Sequence, residues 1–233
     1  MNENQLSKRL ETAASYVEKG ARLADIGSDH AYLPCNLAQK GLIEFGIAGE
    51  VVLGPFSSAK KQIAASRLEG TVEARLGNGL EVIESNDRID TITICGMGGD
   101  LIARILDAGF EEGKLDNVKR LILQPNNAEM KLRHWLTDNN FEIMTETILE
   151  ENSKIYEIII AEPATEVSKL SSEDYLFGKF LRSEKNAIFV RKWESEIQKY
   201  EYILRSLEQS HRDIAEKKAE VLRMIEIIEE EIK

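Results

Sequence analysis

Hydrophobic and polar residues alternate over the first two thirds of the chain in a pattern typical of strands followed by helices. Five strands are predicted by short apolar runs at 21–26, 45–52, 72–76, 89–95 and 118–124. Helical spacing of apolar residues lies between or after them at 33–40, 56–68, 99–108 and 127–138. This order predicts βαβ units, and therefore an α/β fold with a parallel sheet and helices on both faces.

The pattern changes after residue 139. Residues 141–149 alternate apolar and polar side chains, residues 150–154 can turn, and residues 156–161 are apolar again. Two strands so close together must form an antiparallel hairpin. A mostly parallel seven-stranded sheet that ends in an antiparallel hairpin is similar to the Rossmann-like sheet of class I methyltransferases.

The last part of the chain has a heptad pattern, with apolar positions spaced alternately by four and three residues. Its positions are Trp193, Ile197, Tyr200, Leu204, Leu207, His211, Ile214, Lys218, Val221, Ile225, Ile228 and Ile232. One long helix and dimerisation through this stripe are both compatible with the pattern. We favour two helices that fold back near residues 209–212 as an antiparallel coiled coil in a monomer. The predicted domains are residues 1–165 and a small all-α domain, 166–233.

Composition is that of an ordinary globular protein, with 42% hydrophobic and 30% charged residues among 233. The chain starts without the basic and apolar layout of a signal peptide, and no apolar run is long enough to span a bilayer. Cys35 and Cys95 lie far apart without metal-ligand spacing, so we expect free thiols, no metal and a cytoplasmic location. We expect no membrane partner.

A net charge of −11 argues against a nucleic-acid partner, but the placement of the charges weakens that objection. Residues 179–223 hold eleven basic and eight acidic residues, a local net charge of +3. Five basic residues in this stretch stand out: Lys179, Arg182, Lys185, Arg191 and Lys192. A solvated helix face and a phosphate-binding surface explain them equally well.

Residues 22–34 carry the strongest local signal, because a strand ends at Asp25, a turn follows at Gly27 and a helix begins near Tyr32. The turn needs glycine where the backbone bends against a ligand, and the helix start offers unpaired N–H groups. The carboxylates of Asp25 and Asp29 crowd this corner. They would repel a pyrophosphate and hold a cationic ligand.

Three further segments supply candidate binding residues at the ends of later strands. Glu50 is placed to accept hydrogen bonds from ribose hydroxyls, although a strand-end glutamate is often only solvated. Asn78 suits the edge of an adenine ring or belongs to a plain Asn-Gly turn. Glycines at 96, 98 and 99 leave a floor without side chains, and Met97 either lines a pocket or packs in the core.

Gln124 and Asn126 present amide groups where the fifth predicted strand ends, at the edge where open α/β sheets bind ligands. His30, in the first turn, is a further site candidate. The sequence holds no Ser-His-Asp set, metal-ligand cluster or phosphate loop.

Taken in order, these segments resemble the bacterial TrmK family of S-adenosylmethionine-dependent tRNA (adenine-N1)-methyltransferases, which modify adenine 22. The resemblance is carried by the ordered motifs ADIGSDHAYLP at 24–34, IAGEVV at 47–52, GNGL at 77–80, GMGG at 96–99 and LILQPN at 121–126. The strand KIYEI at 154–158 and the heptad tail also fit. Two departures are FGKF at 177–180, where relatives are expected to have Gly-Pro, and Asp29 and Ala31, which replace glycines common in the wider class.

The resemblance implies S-adenosyl-L-methionine as the cofactor and tRNA, not DNA, as the partner. It implies cofactor contacts from Asp25, Gly27, Ser28 and His30 at the methionine part, Glu50 and Val51 at the ribose, Asn78 and Gly79 at the adenine, and Gly96, Met97 and Gly98 at the methyl-transfer pocket. The catalytic candidates are Asp29, Tyr32, Gln124 and Asn126. The five basic residues of the tail would contact tRNA phosphates.

The chemistry agrees with these assignments, since the sulfonium and ammonium groups of the cofactor suit a corner with two acids. Asp29 either accepts a hydrogen bond from the ammonium group or orients the target base. Adenine N1 attacks the methyl group through its lone pair, so positioning and desolvation matter more than a strong base. The alternatives are a small-molecule methyltransferase with a dimerising tail, an NAD-dependent oxidoreductase and a non-catalytic RNA-binding protein.

Overall fold

The computed structural model describes residues 5–208 and 215–233 and has a seven-stranded sheet at its centre. The strands are β1 (Ala21–Ile26), β2 (Ile43–Glu50), β3 (Val72–Leu76), β4 (Thr91–Met97), β5 (Arg120–Pro125), β6 (Phe141–Glu151) and β7 (Lys154–Pro163). Their order is β3-β2-β1-β4-β5-β7-β6. Strands β1 to β5 pair in parallel, and β7 is antiparallel to both β5 and β6. The predicted sheet and its terminal hairpin are confirmed.

The helices flank this sheet and continue beyond it. They are α1 (Lys8–Ala14), α2 (Tyr32–Gln39), α3 (Leu53–Ala65), α4 (Gly99–Glu111), α5 (Glu129–Asp138), α6 (Ser172–Phe177), α7 (Lys179–Glu184), α8 (Ala187–Glu208) and α9 (Ala215–Ile232). The sequence pattern did not predict α1, α6 or α7. Each of these three has six or seven residues, too few to show a helical period clearly.

Two strand boundaries differ from the prediction for a physical reason. Strand β2 ends at Glu50, opposite the last residue of β3, Leu76, so Val51 and Val52 have no ladder to join and are exposed. Strand β4 reaches Met97 through an irregularity in its pairing with β5. Both differences concern the carboxyl edge of the sheet, where the site lies.

The core has two halves because successive side chains of a strand point to opposite faces of the sheet. Leu121 and Leu123 of β5 belong to one buried cluster with residues of α4 and α5. Ile122, between them, belongs to a second cluster with residues of α1 and α2. Burial on both faces explains why the central strands read as continuous apolar runs.

The C-terminal helices pack on the hairpin through a third cluster. Phe177, Trp193 of α8 and Ile228 of α9 are buried together with Ile148 of β6. Because Trp193 is near the start of α8 and Ile228 near the end of α9, these helices run antiparallel. This agrees with two helices rather than one. The predicted turn at 209–212, with heptad positions His211 and Ile214, lies outside the described residues, and the coiled coil and the domain division at residue 165 remain predictions.

Two properties of the described ranges bear on function. Within residues 5–208 and 215–233, no helix combines the length and the apolar character needed to cross a membrane. The same ranges contain no group of three or more His, Cys, Asp and Glu side chains arranged to hold a metal ion. Cys35 and Cys95 are not joined in a disulfide, in agreement with the prediction.

Candidate functional site

The corner predicted from residues 22–34 is built around a buried carboxylate. Asp25 lies at the end of β1, where Thr93 Oγ1 donates to its Oδ1 at 2.6 Å and Ser28 Oγ donates to its Oδ2 at 2.5 Å. Thr93 is available because parallel pairing sets it beside Asp25 in β4. Burial raises the pKa of Asp25, whereas these two hydrogen bonds and the nearby Arg9 charge act in the opposite direction.

The loop that follows has an unusual backbone. Gly27 has a φ of 70°, and Asp29, His30 and Ala31 have φ values of 40°, 74° and 57°. Three successive non-glycine residues in the left-handed region store strain of about 1–3 kcal/mol each, which persists only where the surroundings enforce it. Asp29 and Ala31 are the positions where the wider methyltransferase class often has glycine, and the backbone here shows why glycine would suit them.

The Asp29 and His30 side chains of this loop face outward, whereas Ala31 is buried. The Asp29 side chain is 73% exposed, and its Oδ1 lies 3.5 Å from His30 Nε2. The His30 ring stacks on Tyr32 with their centroids 5.3 Å apart. Tyr32 begins α2, as predicted, so its ring and the exposed carboxylate lie at the mouth of the corner.

Glu50 closes the corner from the second strand. Its Oε1 accepts a hydrogen bond from the Asp29 backbone N–H at 2.5 Å. Burial raises the pKa of Glu50, and the negative charges of Asp25 and Asp29 add to this. A carboxylate accepts several hydrogen bonds, so Glu50 can bind a ligand while it holds the loop. The next residue, Val51, is 65% exposed beside it.

Glycines keep the floor of the site open. A Cβ placed on Gly27 would lie 2.1 Å from Met97 Cε. One on Gly98 would lie 2.9 Å from Asn127 Oδ1. Met97 packs against both the core and Gly27, so it lies at the border between core and corner.

Burial and the Asp25 charge raise the pKa of the neighbouring Cys95 to about 12, so its thiol stays protonated and is a poor nucleophile.

Amide groups line the edge formed by β4 and β5. Gln124 is fully buried, and its Nε2 donates to Pro125 O at 2.7 Å and to Asn126 Oδ1 at 3.1 Å. Asn126 Nδ2 donates to Gly96 O at 2.7 Å. The structure therefore brings these two predicted catalytic residues together and places Asn126 against Gly96.

Asn78 and Gly79 lie at the far side of the corner, after β3. Asn78 is exposed, and its backbone N–H donates to Glu81 Oε2 at 3.0 Å. Both residues line a cavity of about 310 Å³ against α4. Gly79 has a φ of 57°, and a Cβ there would lie 2.9 Å from Ile105, so this turn requires glycine.

A larger cavity, here called the hairpin cleft, opens beside Asn126. Its volume is about 760 Å³. Lys154 and Tyr156 of β7 line one wall, and Lys199 and Tyr200 of α8 line the other. The hairpin cleft thus connects the amide edge of the sheet with the C-terminal helices.

Most of the predicted RNA-binding residues have acidic partners within the chain. Arg182 pairs with Asp174 and Glu231, Lys185 with Glu231, Arg191 with Glu150, and Lys192 with Glu129 and Glu157. Lys192 is 16% exposed, so it is part of the packing between α8 and the hairpin. Lys179 lies over the ring of Phe180, 5.7 Å from its centroid. Their role in phosphate binding remains a prediction.

Sequence reasoning missed two residues of this site. Thr93 is a polar residue inside an apolar strand, and its polar side chain at that position could have indicated a role in the site. Arg9 of α1 donates through Nη1 to Gln124 Oε1 and lies over the Tyr156 ring at 5.4 Å. No sequence pattern indicates Arg9, because its contacts depend on how α1 packs beside β5.

Comparisons with known proteins decide the family. Residues 23–230 match the TrmK family model, described as tRNA (adenine(22)-N(1))-methyltransferase. The Bacillus subtilis tRNA (adenine(22)-N(1))-methyltransferase is 46% identical over 214 residues, which are 90% of this chain and 89% of that protein. This chain belongs to the TrmK family.

Solved structures agree with this assignment. The Streptococcus pneumoniae protein Sp1610, in complex with S-adenosyl-L-methionine, is 48% identical with a TM-score of 0.90, and the match covers 98% of this chain and all of that one. TrmK of M. capricolum, in complex with S-adenosyl-homocysteine, is 28% identical with a TM-score of 0.86, and the match covers 97% of each chain.

Function and cofactor follow from the family. The chain is a tRNA (adenine(22)-N(1))-methyltransferase, and S-adenosyl-L-methionine is its cofactor. The small-molecule methyltransferase, the NAD-dependent oxidoreductase and the non-catalytic RNA-binding protein are thereby set aside. The resemblance seen in the sequence is confirmed, whereas the role of each site residue is still a prediction.

Proposed function

We propose that the corner formed by β1, β2 and β4 binds S-adenosyl-L-methionine and that the amide edge at β5 receives adenine 22 of tRNA. The observation that carries this proposal is a pair of buried carboxylates, Asp25 and Glu50, with no ion-pair partner in the described part of the chain. Carboxylates in that state favour a ligand that brings positive charge and hydroxyl donors.

The residues present fit this cofactor. Glycines at 27, 96 and 98 leave the floor without side chains, and each is a place where a Cβ would meet a neighbouring residue. Glu50 holds the loop through one backbone bond and has capacity for ribose hydroxyls. When bound, the cofactor supplies a methyl group on a positively charged sulfur. The role of the corner is to orient it and to exclude water.

Asn126 is placed to meet the target base. It is exposed at the carboxyl edge of β5, and its amide is held by Gln124 and Gly96. Adenine N1 is hidden in a base pair, so the base must leave the helix before it can react. We propose that Asn126 contacts the amino group next to N1 and that Tyr32 lies beside the base from the other side of the corner.

The hairpin cleft is the proposed path of the RNA to this edge. Tyr156 and Tyr200 offer rings on which unstacked bases can lie, and Lys154 and Lys199 offer charge for the backbone. Of the five basic residues predicted to contact tRNA, Lys179 is the strongest candidate for a phosphate contact, because the other four have acidic partners. The four remain candidates, since a phosphate can compete for an exposed ion pair such as Arg191–Glu150.

We further propose that the protein acts as a monomer in the cytoplasm. Helices α8 and α9 bury apolar residues of the heptad stripe, including Trp193 and Ile228, within one chain. The proposed domain division near residue 165 then separates a cofactor-binding unit from a helical unit that contacts tRNA.

Methylation of defined tRNA transcripts tests this function. Purified protein with S-adenosyl-L-methionine is expected to add one methyl group to a transcript with adenine at position 22 and none to a matched transcript with guanine there. Digestion and mass spectrometry locate the modified nucleotide. Methylation of both transcripts, or of neither, would refute the proposed substrate position.

A further inference from the structure

Arg9 links the N-terminal helix to the amide edge of the site. It is a half-buried residue of α1, and its Nη1 donates to Oε1 of the fully buried Gln124. A Cβ placed on Gly96 would lie 3.4 Å from the same nitrogen. The guanidinium also lies over the ring of Tyr156, which lines the hairpin cleft. One side chain thus contacts β5, β7 and the border of the glycine floor.

The chemistry of arginine determines which way the Gln124 amide points. A guanidinium has five N–H donors and no acceptor, so only the oxygen of the amide can face it. The Nε2 group of Gln124 must therefore face away from Arg9. There it donates to Pro125 O and to Asn126 Oδ1.

The orientation of the Gln124 amide in turn fixes the orientation of the Asn126 amide. Because its Oδ1 accepts from Gln124, its Nδ2 faces Gly96 O, 2.7 Å away. One hydrogen of Nδ2 and one lone pair of Oδ1 remain for a ligand at this exposed rim. A reversed Gln124 amide would place two donors toward Arg9 and would remove the bond that orients Asn126.

We propose that Arg9 is a positioning residue for methyl transfer, which acts through Gln124 to fix the amide of Asn126 toward the target base. This inference rests on the proposed function, since it assumes that adenine 22 meets Asn126. Arg9 itself has no assigned contact with substrate. Its effect is to select one of two amide orientations before the base arrives.

Arginine suits this role better than lysine would. Its planar group can stack over Tyr156 while it donates in a fixed direction to Gln124, whereas an ammonium group is a compact charge on a flexible stem. The Arg9 charge also acts on Asp25, but less than the Ser28 and Thr93 hydrogen bonds do, so we expect Arg9 to have little effect on the corner.

The test compares Arg9→Met with Lys8→Met, a change at the neighbouring position of α1. Lys8 bonds to the hairpin through Glu150 O, so its substitution also perturbs the docking of α1 without touching Gln124. We expect Arg9→Met to lower kcat by about tenfold to a hundredfold, as loss of positioning does. The affinity for S-adenosyl-L-methionine and the KM for tRNA should change little, and Lys8→Met should leave kcat near that of the unchanged protein.

A spectroscopic signal separates positioning from simple stability. The side-chain amide protons of Gln124, assigned by their absence in Gln124→Met, should be protected from exchange in the unchanged protein. In Arg9→Met they should lose that protection and shift. This measurement needs no tRNA, so it reports on the amide even if the proposed substrate position is wrong.

Two further variants complete the design. Adding Arg9→Met to Gln124→Met should cost no more kcat than Gln124→Met alone, because the two residues act in series. Arg9→Lys should recover part of kcat, since it retains a charged donor, and it also serves if Arg9→Met does not fold. Unchanged Gln124 signals in Arg9→Met, additive losses in the double variant, or a fall in thermal stability with normal kcat would each overturn the proposal.

Discussion

Among the buried carboxylates of the described residues, two pairs differ in what surrounds them. Asp25 and Glu50 lie in the proposed cofactor corner and are 4% and 6% exposed. Glu146 and Glu157 lie in the hairpin and are 4% and 1% exposed. Burial alone therefore does not distinguish the two pairs.

The difference lies in their cations. Glu146 and Glu157 are bound by the fully buried Arg133, at 2.7 Å and 2.6 Å, and Glu157 also by Lys192 at 2.5 Å. In the described part of the chain, no ion pair joins Asp25 or Glu50 to a cation. A buried carboxylate without a cation is costly unless a ligand compensates it. The pair with cations is therefore structural, and the pair that has only hydrogen bonds supports the proposed binding site.

The hairpin pair also shows how a second cation changes a titration. Both glutamates lose solvation through burial, which by itself raises a carboxyl pKa. The charges of Lys192 and Arg133 hold the pKa of Glu157 below its ordinary value, whereas Glu146, with Arg133 and a bond from the Phe180 backbone, keeps a raised pKa. Glu157 is therefore the charged anchor for α8.

The largest expected effect comes from breaking the pair with cations. Arg133→Met leaves two buried carboxylates without their shared cation, and such a loss costs about 3–5 kcal/mol of stability. Chemical unfolding monitored by circular dichroism measures it. At temperatures where the variant remains folded, its affinity for S-adenosyl-L-methionine should be unchanged, because Arg133 lies on α5 and its contacts are with the hairpin and α6 rather than with the corner.

A half-buried arginine at the start of β5 serves as the control. Arg120 pairs with Glu18 and Glu162, but its side chain is 23% exposed. Arg120→Met should cost about 1–2 kcal/mol at most, since water can solvate the carboxylates that it leaves. Equal losses for the two variants would contradict the distinction between buried and accessible ion pairs.

A smaller but more specific effect is expected in the corner. Glu50→Gln removes the charge and keeps the shape, so the ligand-free protein should be as stable as before or slightly more stable. Affinity for S-adenosyl-L-methionine should fall by about tenfold to a hundredfold, the value of a charge-assisted hydrogen bond. Isothermal titration calorimetry measures this, and Glu44→Gln, an exposed position on the same strand, is the control. A large loss of stability without loss of binding would make Glu50 a structural residue.

The sequence predicted the corner better than it predicted the hairpin network. Asp25, Gly27 and Glu50 come at strand ends, and the βαβ pattern places strand ends together. Glu146 lies in the alternating first strand of the hairpin, where every second residue reads as solvent-facing, and Glu157 lies in the apolar second strand. They are buried because Arg133 of α5, Phe180 of α7 and Lys192 of α8 contact them, which no local pattern reveals.

Acidic pH should weaken cofactor binding before it weakens the fold. Burial raises the pKa values of Asp25 and Glu50 in the ligand-free protein, whereas a cationic ligand favours their charged forms. Binding should therefore release protons, and the affinity should fall as the pH decreases through the raised pKa range. By contrast, the stability that Glu157 contributes is present above its unfolded pKa and is lost only below it, as the pH falls through its lowered folded pKa.

Calorimetry in two buffers of different ionisation enthalpy measures the released protons. The affinity should change less with pH in Glu50→Gln, because one of the two titrating carboxylates is gone. An affinity that stays constant between about pH 8 and pH 5 would show that neither carboxylate takes up a proton in that range.

Some candidate site residues could be predicted from the sequence, but their orientation and surroundings could not. The positions of candidates at a strand end, such as Asn126 and Gln124, were predicted from the chain alone. The orientation of their amides was not, because Arg9 fixes it from a helix that lies 115 positions away in sequence. The exposed charge of Asp29 and the buried charge of Asp25 also look alike in sequence, although the structure places them in different surroundings.

The smallest expected effect concerns Asp29, the exposed acid of the corner. Its side chain is 73% exposed, so water already solvates it and a hydrogen bond to the cofactor would add about 1 kcal/mol or less. Asn also tolerates the left-handed backbone at this position, so Asp29→Asn should keep the loop intact. We expect a decrease in cofactor affinity of about fivefold or less. If affinity is unchanged and kcat falls, Asp29 orients the target base instead of the ammonium group. A loss as large as that of Glu50→Gln would show that exposure does not separate the two acids, and the comparison between buried and solvated carboxylates would fail at its most direct test.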